Sequence, residues 1–370
     1  MGLRWVAGTC LLLAVCLGLI GAYGWQQFQQ FLGTPLGAGA GQAGQSAFQL
    51  RVAPGDPVRA VLARLEAQSL TRNDWRWRWL LRQDPVTIQA GEYEIPPGTT
   101  PHAFLRLLEQ GAVIQYRFTL VEGWNWWQLR DALKAEARLA VDEALLTRES
   151  VMAAIGSAQT DPEGWFLPET YAYTADDDAL DVLRRAHGAM QDALAEAWNG
   201  RVEALPLASQ VELLTLASII EKESSVAAER PEIAGVFIRR LEQNWRLETD
   251  PTVIYGIGEA FDGDIKSRDL RAATPYNTYV IRGLPPTPIA MPGVDSLKAA
   301  AAPAPGRAMF FVADGQGGHV FSETLAEHNR AVQDMLRRLR AKRDDEPKPS
   351  NAEDGDTSAV TASALAERSG

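Results

Sequence analysis

Leu216-Ala217-Ser218-Ile219-Ile220-Glu221-Lys222-Glu223-Ser224-Ser225 carries an unbroken apolar segment directly into two carboxylates. With about 100° of rotation per residue and Leu216 set at zero, Leu213, Ala217 and Ile220 gather on one side of a helix. Glu223 falls about 60° from the centre of that face, Glu221 about 100° away, and Lys222 nearly opposite. Leu214 and Ile219 lie off the main face, so the helix is apolar almost all round. This predicts a central helix with Glu223 at its C-terminal end against the core. Burial disfavours a charge there, and so do the open carbonyls of the last turn, so the carboxyl is expected to hold its proton to unusually high pH. A general acid working near neutral pH needs that property. The same residues also allow a structural glutamate satisfied by an arginine or by backbone donors. Glu221 reads as a solvated or salt-bridged surface acid.

Downstream, Leu247-Glu248-Thr249-Asp250-Pro251 opens a short helix that stops at Gly256, with Asp250 as the expected N-cap and Pro251 at the first helical position. Thr274-Pro275-Tyr276-Asn277-Thr278-Tyr279 and the loop from Gly283 to Pro288 predict a rigid surface of rings and amides, suited to sugars or to plain loops. Only His102, His187, His319 and His328 exist, and no pair has metal-ligand spacing, so no metal is expected. His319 and His328 read as structural. No GxSxG elbow, Walker loop or strand-borne GxGxxG is present, which removes serine hydrolase, NTPase and dinucleotide readings, and no cofactor is expected.

The 370 residues suffice for two domains, and 46% hydrophobic with 22% charged residues is ordinary globular composition. A net charge of −11 argues against nucleic acid as partner. After a cytoplasmic N-terminus at 1–4, the stretch WVAGTCLLLAVCLGLIGAY from Trp5 holds about 19 uncharged residues, close to a membrane crossing. The transmembrane helix is placed at 5–25, with Trp5, Tyr23 and Trp25 as interfacial rings, and an uncleaved anchor is favoured over a cleaved signal peptide because the run is long for an h-region and no clear small-x-small site follows it. Arg4 precedes it and no Lys or Arg follows until Arg51, which predicts a cytoplasmic N-terminus and an exported remainder. Cys10 and Cys16, the only cysteines, both fall in the span. A flexible linker is expected at 26–46, where GTPLGAGAGQAGQS is rich in Gly, Ala and Gln.

A small module at 47–115 reads strand, helix, helix, strand: FQLRV from Phe48, a helix with Asp56 as N-cap and Pro57 at its first position, a helix over Asp74 to Arg82 with Trp75, Trp79 and Leu80 on one face, and a strand at Gly91 to Ile95. A further helix begins near Pro101, and a strand is expected at Val113 to Val121. A larger, mainly helical domain at 116–342 ends in a strand from Met309, a glycine turn, a strand from His319 and a helix from Leu325 capped by Thr324. The fold class is α+β, with a disordered tail at 343–370.

The motifs EGWFLPETY, ASIIEKES, VFIRRL, TDPTVIYG, TPYNTY, GLPPTPIAMPG, SLKAA and FFVADGQGGHVFSETLAEHN follow one another in that order along the chain. By them the chain from about Phe48 to Arg340 closely resembles the endolytic murein transglycosylase family (MltG, YceG-like). The resemblance implies a LysM-like βααβ module and a mixed α+β catalytic domain. It also implies a single-pass inner-membrane enzyme facing the periplasm that cuts nascent peptidoglycan glycan strands internally, terminating their elongation. The second acid of the family's E-K-E motif falls on Glu223, which would serve as sole acid and base. It would protonate the β-1,4 bond between MurNAc and GlcNAc, then deprotonate the C6 hydroxyl to leave a 1,6-anhydroMurNAc end. Glu248, Asp250, Tyr255, Asn277 and Tyr279 become substrate-binding candidates, with peptidoglycan synthases as possible neighbours.

Glu248 departs from the glutamine usual in the family, and near Glu223 it would raise that acid's pKa further or be protonated itself. Trp124, Trp126 and Trp127 are read as core more than as glycan platforms. Two other functions fit the same residues: a non-catalytic glycan-binding scaffold that recruits synthases, and a hydrolase pairing Glu223 with Asp250 or Glu248.

Overall fold

The computed structural model describes residues 2–38 and 46–345, with side chains described over 8–38 and 46–340. The chain divides into two compact units, residues 1–116 with 172–177, and residues 117–171 with 178–370.

The first unit holds α1 (Gly2–Gly33), β1 (Phe48–Val52), α2 (Val58–Ala67), α3 (Trp75–Gln83), β2 (Gly91–Ile95) and α4 (Pro101–Gln110). Within α1, Gly8–Gly33 is long and apolar enough to cross a membrane, with a mean hydropathy of 1.8. β1 and β2 pair antiparallel from Phe48 opposite Ile95 to Val52 opposite Gly91. Gly91 is at φ +140°, and a Cβ there would lie 2.4 Å from Val113 Cγ1, so no other residue fits. Leu50, Val52, Tyr93 and Ile95 from the ribbon pack with Val61, Leu62 and Leu65 of α2 and Phe104, Leu105 and Leu108 of α4.

α3 buries Trp77 and Leu80, while Trp75 and Trp79 stand 44% and 46% exposed. The expected face was therefore wrong: WRWRW offers a ring on either side, and Trp77 wins because its indole N–H reaches Thr71 and its ring meets Phe31 and Phe104 edge-on. Asp74 caps this helix by accepting the Arg76 N–H at 2.9 Å. At α2 the preceding residue is Pro57, and Asp56 instead accepts from the Ala53 N–H and pairs with Arg64.

The linker expected from residue 26 is also corrected. α1 runs unbroken to Gly33, and Phe28, Phe31 and Leu36 are buried in the core of the first unit. Two backbone hydrogen bonds, Leu36 N–H to Thr99 O and Gly37 N–H to Leu70 O, hold the segment that follows. The rest of that linker, 39–45, and the tail beyond Asp345 lie outside the described residues.

The division between units falls within β3 (Tyr116–Thr119) and β4 (Thr170–Tyr173). β3 is shorter than the strand expected over Val113 to Val121. The second unit continues with α5 (Trp126–Ala135), α6 (Val151–Ala154), α7 (Ala179–Asn199), α8 (Gln210–Glu223), α9 (Arg230–Glu242), α10 (Asp250–Ile257), α11 (Ser267–Arg271) and α12 (Val294–Ala301). It closes with the hairpin β5 (Phe310–Ala313) and β6 (His319–Ser322), then α13 (Leu325–Asp345). The chain is a mixed α+β protein whose described strands form only two-stranded ribbons. α8 is central, as its sequence predicts: every residue from Leu213 to Ile220 is buried, and α7, α9, α10 and α12 pack around it.

Candidate functional site

Ser209 starts α8 by accepting the Glu212 N–H, and the helix stops at Glu223 because Ser224 turns extended, at φ −142° and ψ 130°. Glu223 is thus the last residue of a helix buried from Leu213 to Ile220, half-buried itself. Its Oε1 accepts the hydroxyl of Thr249. Thr249 is the residue that precedes α10, so the cap is not Asp250, which occupies the first helical position with Pro251 behind it. Thr249 makes no side-chain cap because its hydroxyl turns to Glu223 instead. A threonine cluster fixes it there: the Thr249 N–H donates to Thr278 Oγ1 at 3.0 Å, and Thr252 Oγ1 donates to Thr249 O at 2.8 Å.

Burial pushes the Glu223 carboxyl up to about 7 against the downward pull of the Thr249 hydroxyl. The Asp250 carboxylate adds to the rise, while His319 and Arg240 oppose it. Arg240 is a buried cation. Its Nη1 donates to Leu247 O at 2.6 Å and its Nε to Met309 O at 2.8 Å, and its guanidinium lies over the rings of Trp245 and Phe310. Burial lowers its pKa, and Glu248, Tyr279 and Glu223 resist that shift. His319 Nδ1 lies 2.7 Å from Glu229 Oε2, the pairing of a placed structural ring. His328 stacks on Phe310, and burial, then Arg240, pulls its pKa down.

The other candidates separate into two groups. Asp250 and Tyr279 join the Glu223 cluster, with the Tyr279 hydroxyl donating to Asp250 Oδ1 at 2.7 Å. Glu248 stands beside it at φ +52°, its Oε2 3.8 Å from Arg240 Nη1. The negative neighbour acting on Glu223 is therefore Asp250, and the charge of Glu248 is answered by Arg240.

Asn277 and Tyr255 are both buried. The Asn277 amide is fully buried, donating to the carbonyls of Asp269, Leu270 and Ala272 and accepting the Tyr279 N–H, so it shapes the loop that presents Tyr279. Tyr255 is buried, stacked on Trp127 with ring centroids 5.2 Å apart. Trp126 is core, packed on Phe166. Glu221 is also corrected from a surface acid to a buried one. It is paired with Arg230 at 2.8 Å and accepts the Gly293 N–H and the Ser296 hydroxyl.

Tyr255 leads to a second acid that the sequence reading passed over. Its hydroxyl donates to Glu163 Oε2 at 3.0 Å and accepts from Arg148, which also grips Asp161 at 2.8 Å. Glu163 is fully buried and accepts the Trp126 N–H as well, while its Oε1 has no protein partner. Burial pushes this carboxyl up to about 8 despite those donors and Arg148. Between its usual 4.5 and about 8, the folded chain keeps a proton that the unfolded chain has lost. This group's contribution is therefore fully present below the lower value and is lost as pH rises through the upper one. Glu163→Gln is expected to flatten that slope by up to a few kcal/mol across the window, read as Tm against pH. Superimposable profiles for variant and wild type would show that Glu163 titrates normally.

Among the described residues no group of three or more His, Cys, Asp or Glu side chains is placed to hold a metal ion. The chemistry available is proton transfer at a carboxyl poised near neutrality, beside a hydroxyl donor and a buried cation.

Comparison with known proteins places the chain in a family. A Bacillus subtilis (strain 168) protein named endolytic murein transglycosylase is 28% identical over 305 residues, covering 78% of this chain and 84% of that one. Proteins of the same name from two Streptococcus pneumoniae strains are 24% identical over 352 residues, covering 86% of this chain. The chain spans 63% of those pneumococcal relatives. The crystal structure of a yceG-like protein from Listeria monocytogenes superposes with a TM-score of 0.52 at 28% identity, covering 77% of this chain and 98% of that one. The model of the YceG-like family matches residues 50–334, a stretch that holds Glu163, Glu223, Arg240 and Thr249 together, and the chain belongs to that family.

Proposed function

We propose that the chain is an endolytic peptidoglycan transglycosylase in which Glu223 is the single acid and base. One observation carries the reading: the Glu223 carboxyl is held near neutral pKa, while the two acids beside it already have partners of their own. The Asp250 carboxylate accepts from Tyr279, and Glu248 lies against Arg240. Glycosidases that use water or form a covalent intermediate need two carboxylates, about 5–5.5 Å apart when retaining and farther when inverting. An internal nucleophile removes that need, because a hydroxyl already on the sugar has the advantage of proximity.

In this mechanism the Glu223 proton passes to the glycosidic oxygen between MurNAc and GlcNAc as the bond to the anomeric carbon breaks. The resulting carboxylate, steadied by the Thr249 hydroxyl and the positive charge of Arg240, takes the proton of the MurNAc C6 hydroxyl. That oxygen closes on the anomeric carbon, the product end is 1,6-anhydroMurNAc, and no water is consumed. Tyr279 and Asp250 border the reacting carboxyl.

The first unit's βααβ order, with β1 antiparallel to β2, supports reading it as a LysM-like module that binds glycan. α1 supports membrane anchoring, and Arg4 before it with no Lys or Arg until Arg51 supports a cytoplasmic N-terminus and an enzyme facing the periplasm from the inner membrane. Peptidoglycan synthases that extrude strands at that membrane are the expected neighbours.

The test is mass spectrometry of uncrosslinked glycan strands incubated with the protein. Internal cleavage with anhydro ends is expected. Reducing ends would make the chain a hydrolase, and binding without cleavage would make it a scaffold.

A further inference from the structure

We propose that the exposed face of α3, formed by Trp75, Arg78, Trp79 and Arg82, docks on the phosphate headgroups of the membrane that α1 crosses. The proposal rests on α1 being a membrane anchor. The four positions follow the i, i+3, i+4, i+7 spacing of a single helical face, and all four are exposed, while Trp77 and Leu80 fill the opposite side. Two large rings left 44% and 46% exposed side by side mark a contact surface more than a solvated one.

Their depth follows from α1. Its apolar stretch ends near Tyr23, and Trp25 remains 57% exposed just beyond it. Phe28 lies three residues farther, about 4.5 Å along the axis. The Phe28 ring is 6.1 Å from that of Trp25 and 6.5 Å from that of Trp75. Counted from Tyr23, Phe28 is about 7.5 Å along the axis, so the start of α3 is level with the second turn of α1 outside the hydrocarbon, in the outer part of the roughly 5–8 Å occupied by headgroups on each side of a bilayer.

Indoles favour that layer, and arginines can lay their stems on apolar surface while their heads meet phosphate. Arg76, off this face, is paired with Asp74, whereas among the described residues no carboxylate pairs with Arg78 or Arg82. In a chain of net charge −11, a cationic strip beside the anchor is a local feature that complements anionic lipid. A neutral sugar polymer could stack on the rings, but it gives no reason for two unpaired guanidinium groups on the same face.

The test uses the full chain with Cys10→Ala and Cys16→Ala and one nitroxide-labelled cysteine. The label is placed at Gln83, exposed at the end of α3, or at Gln26, exposed beside Trp25. Vesicles contain phosphatidylcholine, phosphatidylglycerol and a nickel-chelating headgroup lipid, and spin relaxation reports contact with headgroups. Strong relaxation is expected at both sites. Arg78→Gln and Arg82→Gln should each lower the docked-to-undocked ratio at position 83 roughly fivefold, leaving position 26 unchanged. Omitting phosphatidylglycerol should lower the same ratio. Contact at 26 without contact at 83 would overturn the proposal and leave the anchor standing, whereas loss at both would remove the anchor and the proposal together. Release of position 83 from lipid by soluble glycan strands would assign the face to glycan and likewise overturn it.

Discussion

Glu223→Gln is expected to slow cleavage of uncrosslinked glycan strands by about 10²–10⁴-fold, the range over which a positioned general acid or base contributes. The amide keeps the shape of the carboxyl and can still meet the Thr249 hydroxyl, so binding and folding should change little while the transferable proton is lost. The pH dependence gives a second reading of the same residue. Burial, helped by Asp250, holds the carboxyl up to about 7, and the first step needs the protonated form. The kcat/KM of wild type should therefore fall as pH rises through about 7, the limb belonging to the free enzyme's acid. Turnover of Glu223→Gln within a few-fold of wild type would end the assignment, and a rate rising through that window would assign Glu223 the role of a base at the start of the reaction.

Arg230→Met should lower the unfolding free energy by about 3–5 kcal/mol, the cost of stranding one member of a buried ion pair. The side chains of Arg230 and Glu221 are 6% and 4% exposed, and the Glu221 carboxylate also holds the Gly293 N–H and the Ser296 hydroxyl at the start of α12. Glu122, 3.6 Å from Arg230 but 51% exposed, carries no positive charge and cannot compensate. The further change Glu221→Leu should recover part of the loss by removing the stranded charge, though not all, because Gly293 and Ser296 then lose their acceptor. Chemical denaturation measures both variants. A cost below about 1 kcal/mol for Arg230→Met would place this pair among ordinary surface bridges.

The helix that matters most was legible because its evidence is local. The run from Leu213 to Ile220 is apolar almost all round, and the position of Glu223 on it follows from helical geometry alone. What surrounds Glu223 was not legible. Arg240 sits in a basic pair near the end of α9, where cations ordinarily complement the helix dipole in water, and only the carbonyls of Leu247 and Met309 make it a buried charge. Thr249 looked like the neighbour of a cap, because nothing local says that its hydroxyl serves an acid 26 residues earlier.

Asn277 and Tyr255 carry groups that suit sugars, yet the fold uses the first to tie a loop and the second to meet Glu163. Glu163 had a local signal, an acid just ahead of the bulky run Trp165-Phe166-Leu167, but its burial depends on α5 and α10, far away in sequence. In the first unit, the tether expected after the apolar span overlooked Phe28 and Phe31, whose spacing of three already marks a helical face.

That last feature has a mechanical consequence. A leash of the 21 residues from 26 to 46 would let the small module wander roughly 25 Å from its root. α1 instead enters the module as a stiff post, with Phe28 and Phe31 wedged among its rings. With the lower part of α1 across a bilayer, the module keeps one height and one bearing, turning only when the post turns. Whatever meets the module must therefore come to that height, because the post leaves it no reach of its own.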